Sequence, residues 1–223
     1  MRFASRPAIE DGFKLIENYL DSIGRPYTSF CACELRSPAP FTEQGFIDFN
    51  RIYVGTLERW GVFRDEKNPV ARSNVCPELD APPVPSFEAF SYTVPATTET
   101  ETEANSGGTK NFVVAGSGEA PEGHGTYEER IIRRGDTSAD AMREKAQYVL
   151  GEMERRMAVL GFDWTSATTT QVYTVHDLHP FLADELVGRG ATPAGLTWYY
   201  ARPPVVDLEY EMDVRSVPVE RVL

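Results

Sequence analysis

Apolar residues recur at helical spacing over the first segment of the chain, at Ile9, Phe13, Ile16, Leu20 and Ile23, and Gly24 follows as a stop. The stretch "YTSFCACEL" then has strand composition and is closed by "SPAP". A second amphipathic face follows, carrying Phe46, Phe49, Tyr53, Leu57 and Trp60, with Gly61 just beyond. Two more strands are predicted at "VARSNVC" and "SFEAFSYTV". The first part of the chain therefore reads α-β-α-β-β.

Residues 96–110, "ATTETETEANSGGTK", interrupt this pattern with few apolar positions and many Thr, Glu and Gly, the composition of an exposed linker. Beyond it, "NFVVAGSGEAPEG" reads as an apolar strand entering a Gly/Pro turn, and "YEERIIRRG" as its return strand. Met142, Ala146, Val149, Leu150, Met153, Met157 and Leu160 mark a long helix, with Ser138 or Thr137 as cap and Gly161 as stop. A strand at "TTTQVYTVHDL", a short helix around "HPFLADELVGRG", and strands at "LTWYYARP" and "VVDLEYEMDV" complete the chain. The predicted order is β-β-α-β-α-β-β. The two parts repeat one pattern, except that the first lacks the opening hairpin. The expected fold class is α+β, a mixed sheet with helices on one face in each half. The expected division is a first domain over 1–96, a linker over 97–110 and a second domain over 111–223.

Bulk properties narrow the function. The 223 residues carry a formal net charge of -12 with 41% apolar and 25% charged residues, an ordinary globular composition with an acidic balance. Nucleic acid and anionic membrane are therefore not expected partners. An anionic substrate would need a local cationic spot on this acidic background, so every arginine in a cleft matters. Cys31, Cys33 and Cys76 form no CxxC pair, and the N-terminal stretch has no apolar core of leader length. A reduced, cytoplasmic protein is expected.

Arg72 attracts attention because "NPVARSNVCPEL" places it inside a short predicted strand. Such an arginine is ordinarily solvated or ion-paired; the alternative is an anion clamp, since its planar fork matches a carboxylate through two parallel charge-assisted bonds. His176 and His179 flank Asp177 at a strand-to-helix junction without a third ligand, so capping or surface roles are favoured over a metal. "GSGEAPEGHG" lacks the glycine order and lysine of a phosphate cradle and reads as a turn. The cysteines lack an activating histidine and read as packing residues. Trp198, Tyr199 and Tyr200 read as sheet core or interface.

Taken in order, "FIDFNRIY", "PVARSNV", "SFEAFSYTV", "VAGSGEAPEG", "LGFDWTSATTTQVYTVHDL" and "VVDLEYEMDV" resemble the Rid (YjgF) family as a degenerate tandem pair spanning nearly the whole chain. That resemblance implies a chorismate-mutase-like fold, assembly as trimers or multiples of three, and hydrolysis of reactive enamines or imines to ketones and ammonia. It assigns the carboxylate clamp to Arg72 and the positioning of the hydrolytic water to Glu88. Asn50, Ser73, Asn74 and the turn Ser117, Gly118 and Glu119 are assigned to substrate binding. No metal or organic cofactor is implied. Gly195 stands where the second half should carry the arginine, although Glu209 falls at the glutamate position. One complete site is then expected only where the Arg72 domain faces Ser117 to Glu119 of another. The resemblance points to a small carboxylated enamine or imine, such as 2-aminomuconate or a substituted analogue from aminoaromatic catabolism. Two alternatives stand beside it: a non-catalytic ligand-binding or regulatory Rid-like protein, and a chorismate-processing enzyme on the related fold.

Overall fold

The structure is a computed structural model that describes residues 1–95 and 111–223; the predicted 97–110 linker lies outside the described residues. In the first half, α1 (Ile9–Ser22) buries Phe13, Ile16 and Leu20, the face that the spacing predicts. It leads to β1 (Phe30–Arg36), then α2 (Glu43–Arg59), whose N-terminus is capped by the Thr42 hydroxyl accepting from the Gly45 N–H. Two strands, β2 (Ala71–Pro77) and β3 (Ser86–Tyr92), close this half.

The second half contains β4 (Phe112–Gly118), a single helical turn α3 (Tyr127–Arg130), the long helix α4 (Ala139–Val159) and β5 (Thr169–Tyr173). Then come α5 (His179–Phe181), continued by a wide turn over Leu182–Val187, and strands β6 (Leu196–Tyr199), β7 (Ala201–Arg202) and β8 (Glu211–Ser216). Ser138 is the cap of α4, its hydroxyl accepting from the Ala141 N–H.

The predicted return strand at "YEERIIRRG" is not formed. Thr126 and Glu129 make a reciprocal capping box, each side chain accepting from the other's backbone N–H, and this winds the segment into α3. The partner of β4 is instead β8, which pairs with it antiparallel from the far end of the chain. "LTWYYARP" is likewise not one strand. It breaks at Tyr200, so that β6 runs parallel to β5 while β7 pairs antiparallel with Cys76 and Pro77 of β2.

Two four-stranded mixed sheets result, ordered β3-β1-β2-β7 and β4-β8-β5-β6. The pairings correspond: β1 is parallel to β2 and antiparallel to β3, as β5 is parallel to β6 and antiparallel to β8. Because β7 belongs to the first sheet, the sheets do not follow the predicted chain division. No described helix is long and apolar enough to cross a membrane.

Strand alternation gives each sheet two unlike faces. Cys33 and Leu35 of β1 join Phe13, Leu20 and Tyr53 in one apolar core beneath α1 and α2. Val172, Met212 and Val214 join Met142, Leu150 and Met153 in a second core beneath α4. The intervening positions are polar: Glu34 and Arg36 on β1, Gln171 and Tyr173 on β5, and Asp213 and Arg215 on β8 are all buried. Buried charge requires partners. Glu34 accepts from Arg36 at 2.9 Å and from Arg215 of the other half at 2.8 Å. The Arg36 guanidinium lies over the rings of Tyr173 and Tyr199, 5.5 and 5.3 Å from their centroids. The Tyr173 hydroxyl and the Gln171 amide both donate to the Asp213 carboxylate.

A second buried ion pair fixes the entry to β8. Glu119 and Lys145 are both fully buried, 3.2 Å apart, and the Glu119 carboxylate also accepts the backbone N–H groups of Glu209 and Tyr210. Removing one partner of such a pair leaves a stranded charge, which costs about 3–5 kcal/mol. Lys145→Met should therefore lose about that much stability in urea unfolding, and Lys145→Met with Glu119→Gln should recover part of it.

Candidate active site

Both halves contribute to a cavity of about 250 Å³, with Phe46, Arg72 and Asn74 on one side and Gly116, Ser117, Gly118, Tyr127, Arg130 and Glu211 on the other. Arg72 reaches it from β2, held in register by the parallel pairing of Cys33 with Arg72. Its guanidinium lies over the aromatic face of α2, 4.8 Å from the Tyr53 ring centroid, 5.5 Å from Phe46 and 5.7 Å from Phe49. These rings hold a cation in place without neutralising it. No carboxylate oxygen lies within 4.0 Å of that guanidinium among the described residues. Among the described residues, the half-buried arginine is thus not tied up in an ion pair.

Facing it is Glu211, the first residue of β8 and 4% exposed. Burial pushes its carboxyl well above the usual carboxylate range, and the nearby Asp213 and Glu119 carboxyls push the same way against the Arg72 and Arg36 charges. The backbone leaves room for this carboxyl at Gly116, where a Cβ would overlap Glu211 Oε1. The arrangement therefore offers a fixed cation and a carboxyl that favours its protonated form, in one enclosed space. It can bind a carboxylate and exchange a proton with what is bound.

Of the residues assigned from sequence, Arg72, Asn74, Ser117 and Gly118 line this cavity. Asn74 is 2% exposed; its Oδ1 accepts from the Ser37 hydroxyl, while its Nδ2 has no partner among the described residues. Ser73 is buried on the opposite face of β2, against Gly116. Glu119 does not reach the cavity, because Lys145 and two backbone amides hold its carboxylate in the interior. Asn50 lies on α2 without lining the cavity, its Oδ1 buried and unpartnered among the described residues.

Glu88 is elsewhere. It lies on β3, at the far edge of its sheet, and its carboxylate is gripped by Arg2 at 2.9 Å and Arg6 at 2.6 Å. Glu209 is also held outside, by His176 at 2.8 Å and Arg202 at 3.2 Å. Two residues further on, Glu211 carries the carboxyl that faces Arg72. Alternation does not separate the two glutamates, since residues two apart share a face; Glu211 differs in opening β8, where Asp213 and Arg215 follow on its own face and Met212 and Val214 on the other. Arg130, Tyr127 and Arg156 also line the cavity and were not assigned from sequence. The Thr126–Glu129 capping box is the one legible signal for Tyr127 and Arg130, while Arg156 lies on α4. No cluster of three or more metal-ligating side chains exists among the described residues.

A carboxyl whose value is raised on folding keeps a proton that the unfolded chain has released. The folded state is then favoured at low pH, and that contribution is lost as pH rises through the raised folded value. Asp213 is raised as well, chiefly by burial. Thermal unfolding from about pH 5 to about pH 9 should therefore show stability falling as pH increases, and Glu211→Gln should flatten the slope.

Comparison with known proteins agrees over the whole length. The sequence profile of the family described as 2-aminomuconate deaminase CnbZ matches residues 1–221. The chain is 49% identical over 223 residues to a 2-amino-5-chloromuconate deaminase of Comamonas testosteroni, covering 100% of this chain and 86% of that protein. Among solved structures it is similar to a chorismatase, with a TM-score of 0.53 at 12% identity, over 97% of this chain and 73% of that one. That last likeness concerns the fold alone. With a near-complete profile match and a full-length relative at this identity, the chain belongs to the 2-aminomuconate deaminase CnbZ family.

Proposed function

We propose that the protein is a cofactor-free hydrolytic deaminase of a 2-aminomuconate-type substrate, a six-carbon conjugated dicarboxylate with an amino group on C2. The observation that carries this reading is the pairing of Arg72, free of any carboxylate among the described residues, with the buried Glu211 carboxyl across one cavity. Arg72 grips the C1 carboxylate through its fork, and the Phe46, Val205 and Leu208 side chains meet the apolar carbon skeleton. The Rid-like tandem reading belongs to this proposal, supported by the matching order of three strands in each sheet, β3-β1-β2 and β8-β5-β6. The cavity walls come from two halves of one chain, so the reading requires no neighbouring subunit.

Glu211 takes the role that the resemblance gave to Glu88. Protonated, it donates a proton to the enamine carbon and converts the substrate to its iminium tautomer. The carboxylate left behind takes a proton from water as the water oxygen bonds to C2. The proton passes on to nitrogen, the C–N bond breaks as the carbinolamine hydroxyl gives its own proton back to the Glu211 carboxylate, and ammonia leaves behind the 2-oxo acid with the acid form of Glu211 restored. One water is consumed and one ammonia released, with no oxidant or reductant. The raised Glu211 value suits this cycle, because the first step needs the acid form at near-neutral pH. The partly unsatisfied Asn74 amide supplies a donor for the substrate or the developing carbinolamine.

Ammonia release from 2-aminomuconate measures the activity. Glu211→Gln should lower kcat roughly 10²- to 10⁴-fold. Arg72→Gln should chiefly raise KM, by roughly 10- to 100-fold for a lost charge-assisted bond. Glu88→Gln should leave kcat within about twofold once stability is matched. Absence of ammonia release by the wild-type protein from any carboxylated enamine would sink the reading.

A further inference from the structure

Among the described residues, Arg72 is not the cavity's only arginine without a carboxylate. Arg130, the last residue of α3, lines the same cavity and is half-buried. Its Nε donates to the Thr126 carbonyl at 3.2 Å and its Nη1 to the Pro121 carbonyl at 2.7 Å. Its guanidinium lies 4.8 Å from the Tyr127 ring centroid. Two carbonyls and a ring fix the side chain but cancel none of its charge. The third cavity arginine, Arg156, differs: Glu122 stands 3.3 Å away and Glu152 3.6 Å away, so its charge is met.

Among the described residues, Arg25, Arg64 and Arg221 also lack a carboxylate within 4.0 Å, but none of these three lines the cavity. Arg72 and Arg130, each half-buried and each pinned by contacts that preserve the charge, face one cavity of about 250 Å³. Tyr127 lies within electrostatic reach of both, since the Arg130 and Arg72 charges each act on its phenol. A single anionic group on the ligand satisfies one such cation and leaves the other buried beside an empty anion position.

We propose that Arg130 forms a second carboxylate subsite, reading the distal C6 carboxylate while Arg72 holds the C1 carboxylate. It thereby makes the enzyme selective for dicarboxylates over monocarboxylates. The proposal rests on the deaminase reading for the identity of the substrate. The capping box is then more than a local fold device: it presents Arg130 by starting α3 at Tyr127. Arg130 is a specificity residue that touches the end of the substrate remote from the reacting carbon.

The test uses unreactive ligands, so it does not depend on turnover. Calorimetry on the full chain compares muconate, a conjugated six-carbon dicarboxylate, with sorbate, the monocarboxylate of the same length. The wild-type protein should bind muconate at least roughly 10-fold more tightly than sorbate. Arg130→Gln should weaken muconate roughly 10- to 100-fold and leave sorbate within about twofold, and Arg130→Lys should recover part of the loss. Sorbate binding and thermal unfolding of each variant report whether α3 is intact. Equal binding of the two ligands by wild type, an unchanged muconate affinity in Arg130→Gln, or equal loss of both ligands would each overturn the subsite. Retained discrimination without ammonia release would sink the deaminase reading and leave the subsite standing.

Discussion

Glu34 sits where two sheets meet with polar rather than apolar faces, and its carboxylate is shared between Arg36 on its own strand and Arg215 on the other half. Burial by itself would raise this carboxyl, yet the two guanidinium groups hold it below its ordinary value. All three side chains are under a tenth exposed. An ion triad of this kind adds little net stability over an apolar replacement, but it tolerates few other arrangements, because any displacement strands a charge. It fixes how one sheet lies on the other, and the remaining polar layer is built around it.

That fixed relation is what creates the cavity. Arg72 and Glu211 are 139 residues apart by their numbers and belong to different sheets. They share a space because β2 lies against β4 at Gly116, where Ser73 and the Glu211 carboxyl both crowd a position that has no side chain. The same polar layer supplies the Asp213 carboxyl, which helps keep Glu211 protonated. An acidic chain can thus bind an anion: its negative charges are paired, buried or protonated around a cavity that presents bare arginines. On β8 alternation sends Met212 and Val214 to the helix core and Glu211 and Asp213 to the polar layer, whereas on β2 Arg72 leaves on the side of α2.

Much of the fold is legible in the sequence. The helices at Ile9–Ser22, Glu43–Arg59 and Ala139–Val159 bury the residues that their spacing selects, because a 3.6-residue period needs only one apolar partner surface. Arg72 stood out from its strand composition and its Pro-Val-Ala-Arg-Ser context. The glutamate opposite it did not. Glu88, Glu209 and Glu211 all sit at or near strands, and which of them escapes an arginine or histidine partner depends on residues as distant as Arg2, Arg202 and His176. The return strand at "YEERIIRRG" failed for a local reason, since a capping box outweighed strand composition over four residues.

The sequence by itself determined the helices, the strand-rich segments between them, the acidic balance and the arginine worth watching, since each depends on neighbours within a few turns or on composition. Only the tertiary structure decided that β7 crosses to the first sheet, that β8 rather than a local hairpin completes the second, and that Glu211 and Arg130 join Arg72. Those outcomes depend on which buried charges find partners across the sheet interface. Such pairing is long-range, and no local periodicity encodes it.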